Sequence, residues 1–251
     1  MQDLVIKSYA DLGFHKTIGA LIRHHSENKK DIREVAKGLV DFAKVRDMLD
    51  LGCGYGWFEE SFKNGIHSIL GIDCLEANEK GFLSIANGVA SEARFMRLLL
   101  PAPIDVDSES FDLIISAYSL YFFPGVLPEV RRILRPGGAF LIITHSASML
   151  EEGEEFFDFS NLRQVINNFS AENGEALLRK HFEHVEATDY INSLVFRQEE
   201  KDNLAKYIDF KREFISKDVS PVVVKAKMID ELETRGVMRF NKNDRIFVVQ
   251  R

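Results

Sequence analysis

The sequence is poor in cysteine and in long apolar runs. Two cysteines among 251 residues are too few for a disulfide framework or a multi-cysteine zinc cluster. No run comes near the roughly 18 consecutive apolar residues of a membrane-spanning helix, and the first residues lack the charged-then-apolar pattern of a secretory signal. We therefore expect a protein of the reducing cytoplasm with no membrane partner.

The chain also has fewer basic than acidic residues, 32 against 39, which gives a net charge of −7. A protein that binds a nucleic-acid backbone generally needs a basic face, so we expect no nucleic-acid partner. Hydrophobic residues make up 45% of the chain, which is enough for a sizeable core. Since α/β folds of this length are often single units and no repeat is visible, we predict one domain over residues 1–251.

Glycine is concentrated where an apolar run ends. Asp50 closes that run, and Gly52, Gly54 and Gly56 follow at alternate positions. Glycine is favoured where the backbone takes a positive φ or approaches a ligand closely. Residues 57–62 have helical spacing, so the order strand, glycine turn and helix predicts the entry unit of a nucleotide-type α/β site. A tight turn without a ligand is the alternative interpretation.

An acidic residue follows the next apolar run. Residues 68–73 predict a second strand that ends in Asp73, about 20 residues beyond the glycines, where a ribose-binding carboxylate is expected. A carboxylate can accept hydrogen bonds from both ribose hydroxyls. The alternative is that Asp73 caps the helical segment that starts at Glu76.

The later pattern repeats strand and helix signals. Strands are predicted over residues 93–99, 111–116 and 139–144, with a helix over 124–134 between the last two. Residues 31–34 have capping-box spacing before another helix. Alternation of this kind is typical of a parallel sheet covered by helices.

These motifs together resemble a known family. The acid and glycine loop, residues 111–116 and residues 133–138 are similar, in that order, to the core motifs of class I S-adenosylmethionine-dependent methyltransferases, over about residues 40–145. Residues 169–174 and 240–249 resemble a small-molecule subgroup. The resemblance implies a doubly wound, mostly parallel seven-stranded Rossmann-like sheet with helices on both faces, an antiparallel C-terminal hairpin and a helical lid. Lid and acceptor-pocket segments are expected at residues 1–25, 147–180 and 198–235.

The resemblance also implies the reaction and the cofactor site. S-adenosyl-L-methionine would donate a methyl group to a small-molecule acceptor by in-line displacement. Asp50 and the loop 52–56 would hold the methionine end, Asp73 the ribose, and Ser116 the sulfur side. The full expected cofactor site is Asp50, Gly52, Cys53, Gly54, Gly56, Asp73, Cys74, Leu98, Leu99 and Ser116. The two cysteines are interpreted as small buried residues beside the cofactor loops.

Two positions depart from the family pattern. The acid that usually follows the third strand and takes the adenine amino group is missing, and Leu98 and Leu99 offer only apolar surface and backbone groups there. Tyr121 stands where many relatives carry a histidine. The candidate catalytic groups are therefore Tyr121, which can also be a pocket aromatic, and His145, which can also be a hydrogen-bonded strand-end histidine.

An acceptor pocket is predicted from aromatic residues outside the core, and its expected members are Tyr9, Tyr118, Phe156 and Phe157. No metal is expected, because His24 and His25 are adjacent and point in different directions on a helix. The identity of the acceptor, the atom that is methylated and the oligomeric state stay open.

Rival functions come from other classes. An NAD(P)-dependent oxidoreductase would share the strand, loop and acid, but its G-x-G-x-x-G fingerprint needs glycine where Trp57 stands, and no Tyr-x-x-x-Lys pair is evident near a strand end. The tetrapeptide of nucleic-acid amino-methyltransferases is absent at residues 116–119. A non-catalytic cofactor-binding or scaffold protein remains a second alternative.

Overall fold

The computed structural model describes residues 12–63, 65–156, 158–212 and 220–251. Two compact units are present. The sheet unit comprises Lys30–Thr144, Asn168–Tyr190 and Arg245–Arg251. The helical unit comprises Met1–Lys29, His145–Asn167 and Ile191–Asp244. Each unit therefore draws on segments that are far apart in the sequence.

The sheet unit is built on a seven-stranded sheet in the order β3-β2-β1-β4-β5-β9-β6. Its strands are β1 Asp47–Leu51, β2 Ile66–Asp73, β3 Ala90–Arg97, β4 Phe111–Ala117, β5 Leu134–His145, β6 His184–Tyr190 and β9 Asp244–Gln250. β1 pairs in parallel with β2 and β4, β2 with β3, and β4 with β5. The predicted doubly wound, mostly parallel sheet is confirmed.

The central strands are buried because their sequences are continuously apolar. In β4, Leu113, Ile114 and Ile115 are completely buried, as expected of a parallel strand that is covered on both faces. The helices of this unit are α2 Ile32–Lys37, α3 Glu79–Ala86, α4 Leu127–Ile133 and α6 Gly174–Leu178. Asp31 caps α2 as the sequence predicts, since its carboxylate accepts a hydrogen bond from the Arg33 amide at 2.9 Å.

The helical unit gathers segments that the sequence analysis assigned to lid and pocket. Its elements are α1 Leu12–His25, α5 Ser160–Ile166, α7 Lys201–Lys211, α8 Pro221–Arg235, and the antiparallel strands β7 Ser193–Arg197 and β8 Val237–Asn241. They share an apolar core in which Leu204, Val224 and Leu232 are fully buried. Hydrophobic burial of this kind stabilises a unit whose helices come from distant parts of the chain.

Two local expectations need correction. Residues 57–62 do not form a regular helix: turns lead into a short 3₁₀ helix over Glu59–Ser61. The antiparallel pair is not made by the two C-terminal strands, because β8 pairs with β7 while β9 joins the large sheet. The hydrophobic alternation of β8 and β9 predicts strands, but a pairing partner is chosen by long-range packing.

Among the residues that the structure describes, no helix is long and apolar enough to cross a membrane.

The close contact between β2 and α3 predicts that a larger residue at Gly71 lowers stability. A Cβ at Gly71 would lie 2.4 Å from Cζ of Phe82, and Phe82 is completely buried. Gly71→Ala should therefore overpack the core and lower the free energy of unfolding by about 1–3 kcal/mol in denaturant titration. Gly125→Ala is the matched control, because its Cβ would meet Pro101 at an ordinary 3.4 Å. Equal stability of the two variants would contradict this packing.

Candidate functional site

The glycine loop leaves β1 in a conformation that explains its composition. The φ values of Gly52, Gly54 and Gly56 are 72°, 54° and 90°, and residues with a Cβ rarely adopt such values. The carbonyl of Ile72, at the end of β2, accepts hydrogen bonds from the amides of Gly52 at 2.8 Å and Cys53 at 3.1 Å. The loop is thus held at the carboxyl edge of the sheet, where open α/β sheets bind ligands.

Close packing beside β4 requires the first glycine of the loop. A Cβ at Gly52 would lie 2.5 Å from Cβ of Ser119. The Ser119 hydroxyl donates to the carbonyl of Leu51 at 2.6 Å, and its oxygen lies 2.6 Å from that of Ser116. Both hydroxyl groups are buried. This chain of bonds joins the end of β4 to the glycine loop, and it uses the Ser116 hydroxyl as a structural partner.

The second glycine faces open space. A Cβ added at Gly54 would meet no atom within 4 Å, so a ligand can approach the backbone there. The Gly54 amide donates to Oδ2 of Asp73 at 3.0 Å, and the Leu75 amide donates to Oδ1 at 2.8 Å. Asp73 therefore orders both the loop and the turn after β2. Asp73 does not cap the 3₁₀ helix over Glu76–Asn78, which has no side-chain cap, and a carboxylate oxygen can accept a further bond from a ligand.

A pair of buried acids lies behind the loop. Asp50, in β1, is 2% exposed, and Glu59 is completely buried. Oδ1 of Asp50 and both carboxyl oxygens of Glu59 accept no hydrogen bond from an N–H or hydroxyl donor among the described residues. Burial, followed by the charges of Glu59 and Asp73, raises the pKa of Asp50 well above its usual range. Burial raises the pKa of Glu59 to about 7.

Cys53 lies in the same acidic environment. Its side chain is 4% exposed and packs in the hydrophobic core of the sheet unit. Burial first, and then the charges of Asp50, Asp73 and Glu59, raise the pKa of the thiol. The thiol is therefore a neutral small side chain and not a reactive nucleophile. Cys74 is half-buried, and burial also raises its pKa.

Aromatic side chains flank the loop. The ring of Trp57 lies 5.7 Å from that of Tyr118, which follows β4. On Trp57 the guanidinium of Arg33 lies 4.9 Å from the ring centroid, and it donates to the Trp57 carbonyl at 2.7 Å. The stacked cation fixes the indole, so Trp57 and Tyr118 form an ordered aromatic surface within the sheet unit.

The end of β3 offers fewer open hydrogen-bonding groups for an adenine ring than the sequence predicts. The Leu98 amide is already bonded to the Asp73 carbonyl at 2.9 Å, so this N–H group is not open to a ligand. Leu98 is half-buried and Leu99 is 45% exposed. Both side chains can still cover a flat ring by apolar contact.

The two candidate bases fall in different units. Tyr121 belongs to the sheet unit, is 4% exposed and packs edge-on against Phe122 at 4.6 Å. His145 belongs to the helical unit, and its Nδ1 lies 2.7 Å from Oδ1 of Asp244 and 3.2 Å from Nζ of Lys242. Burial, followed by the charge of Lys242, lowers the pKa of His145 to about 4.

A neutral imidazole follows from that environment. When Nδ1 of His145 carries the proton it donates to Asp244, which leaves Nε2 as the proton-accepting nitrogen. Its low pKa makes it a weak base at neutral pH. The strand-end interpretation describes the observed bond, and the catalytic one stays a prediction.

The other predicted pocket residues divide in the same way. Tyr9 and Phe157 lie outside the described residues. Phe156 is half-buried and packs against the apolar core of the helical unit. A closed acceptor pocket therefore stays a prediction.

The adjacent histidines come together with one acid inside the helical unit. Ligand-type atoms of His24, His25 and Glu200 all lie within 4.8 Å of one another. However, Nδ1 of His25 bonds to the Val195 carbonyl at 2.9 Å and its Nε2 to Asn203 at 3.0 Å. Both ring nitrogens are thus engaged in structural bonds. Chemistry without a metal stays a prediction.

Comparison with known proteins points to one group. Residues 49–142 match the family model described as a methyltransferase domain. Over 162 residues the chain is 27% identical to the malonyl-[acyl-carrier protein] O-methyltransferase of Erwinia pyrifoliae, and this match covers 61% of the chain and 59% of the relative. The chain therefore spans 59% of the length of this curated relative.

Solved structures share the fold. The YcgJ protein of Bacillus subtilis superposes with a TM-score of 0.55 at 19% identity, covering 87% of this chain and 98% of that one. The [4+2]-cyclase SpnF gives 0.51 at 16% identity, covering 87% and 79%. An N-methyltransferase of Haemonchus contortus, bound to phosphomonomethylethanolamine and S-adenosylhomocysteine, gives 0.50 at 15% identity, covering 82% and 48%. At these identities the likeness is one of fold.

Sequence reasoning missed two residues of the site. Ser119 carries no motif, and only its position after a buried strand signals it. Glu59 stands in a mainly apolar stretch just after the glycines, and an acid at such a position could have been noted as a buried charge. Both depend on contacts between segments that are distant in the sequence.

The hydrogen bonds that link Ser116, Ser119 and the Leu51 carbonyl predict that loss of the Ser119 hydroxyl lowers stability. Ser119→Ala removes the donor to Leu51 and leaves the buried Ser116 hydroxyl with one partner fewer, so the free energy of unfolding should fall by about 1–3 kcal/mol in denaturant titration. Ser110→Ala is the control, because its hydroxyl bonds to the Asp107 carbonyl at an exposed position and should change stability by less than about 0.5 kcal/mol. A Ser119→Ala protein as stable as the control would refute the role of this chain.

Proposed function

We propose that this chain is a class I S-adenosylmethionine-dependent methyltransferase, which its likeness to a methyltransferase domain and to a curated methyltransferase supports, and that it transfers a methyl group from S-adenosyl-L-methionine to a small-molecule acceptor. The observation that carries the proposal is the joint presence of the glycine loop, Asp73 and the buried acids within the matched residues 49–142. Function resides in such a site and not in the fold alone.

The residues present fit the cofactor. Gly54 leaves space for a close approach to the backbone, and the buried acids Asp50 and Glu59 place negative charge behind the loop, which favours an ammonium group there. Asp73 stands at the end of β2, beside the loop, where a ribose is expected. We assign the methionine end to the loop and its acids, and the ribose to Asp73.

When bound, S-adenosylmethionine supplies an electrophilic methyl group on a sulfonium that leaves as a neutral thioether. The task of the protein is then to align the acceptor and to exclude water. Trp57 and Tyr118 supply an ordered apolar surface next to the loop. Among the candidate bases, Tyr121 is buried and His145 is a neutral, weak base, so we propose that alignment contributes more than proton abstraction.

The size of the acceptor separates two candidates. The net charge of −7 disfavours a nucleic acid and agrees with a small acceptor. A carrier-bound carboxyl group is the second candidate, because the curated relative is a malonyl-[acyl-carrier protein] O-methyltransferase. We favour the small acceptor because the relative matches only part of its length.

Cofactor identity is tested by thermal shift. S-adenosylhomocysteine at about 100 times its Kd should stabilise the folded protein by about 2.7 kcal/mol, because it binds the folded state alone. NAD at the same concentration should leave the melting temperature unchanged. Stabilisation by NAD with no response to S-adenosylhomocysteine would favour the oxidoreductase instead.

The assignment of Asp73 is tested by calorimetry. Asp73→Asn keeps one oxygen as an acceptor but removes the charge, so the Kd for S-adenosylhomocysteine should rise at least about tenfold. Glu76→Gln is the control, because Glu76 is exposed and pairs with Arg97 at 3.0 Å. An unchanged Kd in Asp73→Asn would show that this carboxylate serves only to order the loop and the turn after β2.

The acceptor is tested by transfer of a labelled methyl group. Incubation with fractionated metabolite pools should label material of low molecular mass, and incubation with a malonyl-loaded carrier protein should label none. Label on the carrier protein alone would replace the small-molecule proposal by the second candidate. Retained binding of S-adenosylhomocysteine with no transfer to either pool would favour a non-catalytic cofactor-binding protein.

A further inference from the structure

Within the described part of the chain, no cation pairs with the buried acids Asp50 and Glu59. A buried carboxylate without a partner is costly, and it is usually neutralised by a proton or by a nearby cation. Asp50 lies in β1 and Glu59 in the 3₁₀ helix that follows the loop, so the two acids come from either side of the glycines. Neither is exposed enough for water to compensate the charge.

The geometry of the pair favours a shared proton. The two carboxyl groups lie within hydrogen-bonding reach of each other, yet two ionised carboxylates both accept and neither donates. A bond between them exists only while one holds a proton. Two acids at such close range titrate as a unit, and the first proton to bind is held tightly.

The groups around the pair are acidic or neutral. Asp73 in β2 adds negative charge to the surroundings of Asp50, and the thiol of Cys53 in the loop faces both acids and is held neutral. The guanidinium of Arg33, which stacks on Trp57 beside the loop, is committed to Asp31 at 2.7 Å and to the exposed Glu60 at 3.3 Å. A positively charged ligand group would therefore be favoured beside the pair.

We propose that Asp50 and Glu59 share a proton in the ligand-free protein and release it when the ammonium group of S-adenosylmethionine binds beside them. The inference rests on the proposed function, since that cofactor supplies the ammonium group. The exchange is balanced: the O–H bond of the carboxyl pair breaks, the proton passes to solvent, and the positive charge of the ammonium group stabilises the resulting carboxylates. Cofactor uptake is thereby coupled to pH.

The direction of the coupling follows from the charges. Protons compete with the ammonium group, so affinity should rise with pH while the ligand-free pair still holds its proton. As the pH is raised towards 7, the Kd for S-adenosylhomocysteine should fall by up to about tenfold per pH unit, because burial raises the pKa of Glu59 to about 7.

Calorimetry tests this coupling with the wild-type protein. Titration of S-adenosylhomocysteine at pH 6 in two buffers of different ionisation enthalpy should show release of about one proton per ligand. Its deamino analogue, in which hydrogen replaces the amino group, should bind without proton release. Binding of S-adenosylhomocysteine without proton release in either buffer would overturn the inference. Absence of any binding would overturn the proposed function.

Substitution of Glu59 tests whether this carboxyl pair holds the released proton. Glu59→Gln offers Asp50 an amide donor in place of the shared proton, so proton release and the pH slope of Kd should both be lost. Glu60→Gln is the matched control, because Glu60 is the next residue and its side chain is 55% exposed; it should behave as wild type. A pH slope that survives in Glu59→Gln would refute the pair. If that variant does not fold, the comparison of the two ligands on wild type decides.

The ligand-free protein provides a second readout. The folded pKa of Glu59, about 7, lies above its ordinary 4.5, so its contribution to stability is fully present below pH 4.5 and is lost as pH rises through 7. The melting temperature of wild type should therefore fall over this range relative to Glu59→Gln. Parallel profiles for the two proteins would contradict a buried, proton-holding Glu59.

Discussion

The position of the glycine loop depends on the carbonyl of Ile72 at the end of β2. This carbonyl accepts hydrogen bonds from the amides of Gly52 and Cys53, and these bonds hold the loop at the carboxyl edge of the sheet. The loop then fits against Ser119 from β4 and bonds to Asp73 from β2. Each of these contacts requires the parallel order of β2, β1 and β4, because only that order brings three strand ends to one place.

The loop is kept in an electrostatic environment that costs stability. Buried acids without a cation destabilise a ligand-free protein, and such features persist where binding or catalysis uses them. Elsewhere in the sheet unit the acids are compensated: Arg135 lies 2.9 Å from Asp47 and 2.8 Å from Asp112. The ion-paired acids at the starts of β1 and β4 therefore contrast with the pair Asp50 and Glu59 beside the glycine loop.

The fold does not by itself identify the reaction. Structures that superpose on most of this chain include a [4+2]-cyclase and an N-methyltransferase. Proteins with this fold thus differ in their chemistry, because function lies in the residues of a site and not in the fold. In this chain the segments of the helical unit fold around an apolar core of their own.

Local patterns in the sequence determined the strands, the glycine loop and the caps. Continuous apolar runs predict buried parallel strands, Pro221 and Gly236 mark the ends of α8, and positive φ values require the loop glycines. These features depend on neighbouring residues and are therefore readable in order along the chain. The burial of Glu59, the contact of Gly52 with Ser119 and the pairing of β8 with β7 were decided by tertiary structure. They join segments that are distant in sequence, and side-chain packing between such segments leaves no periodic signal in either one.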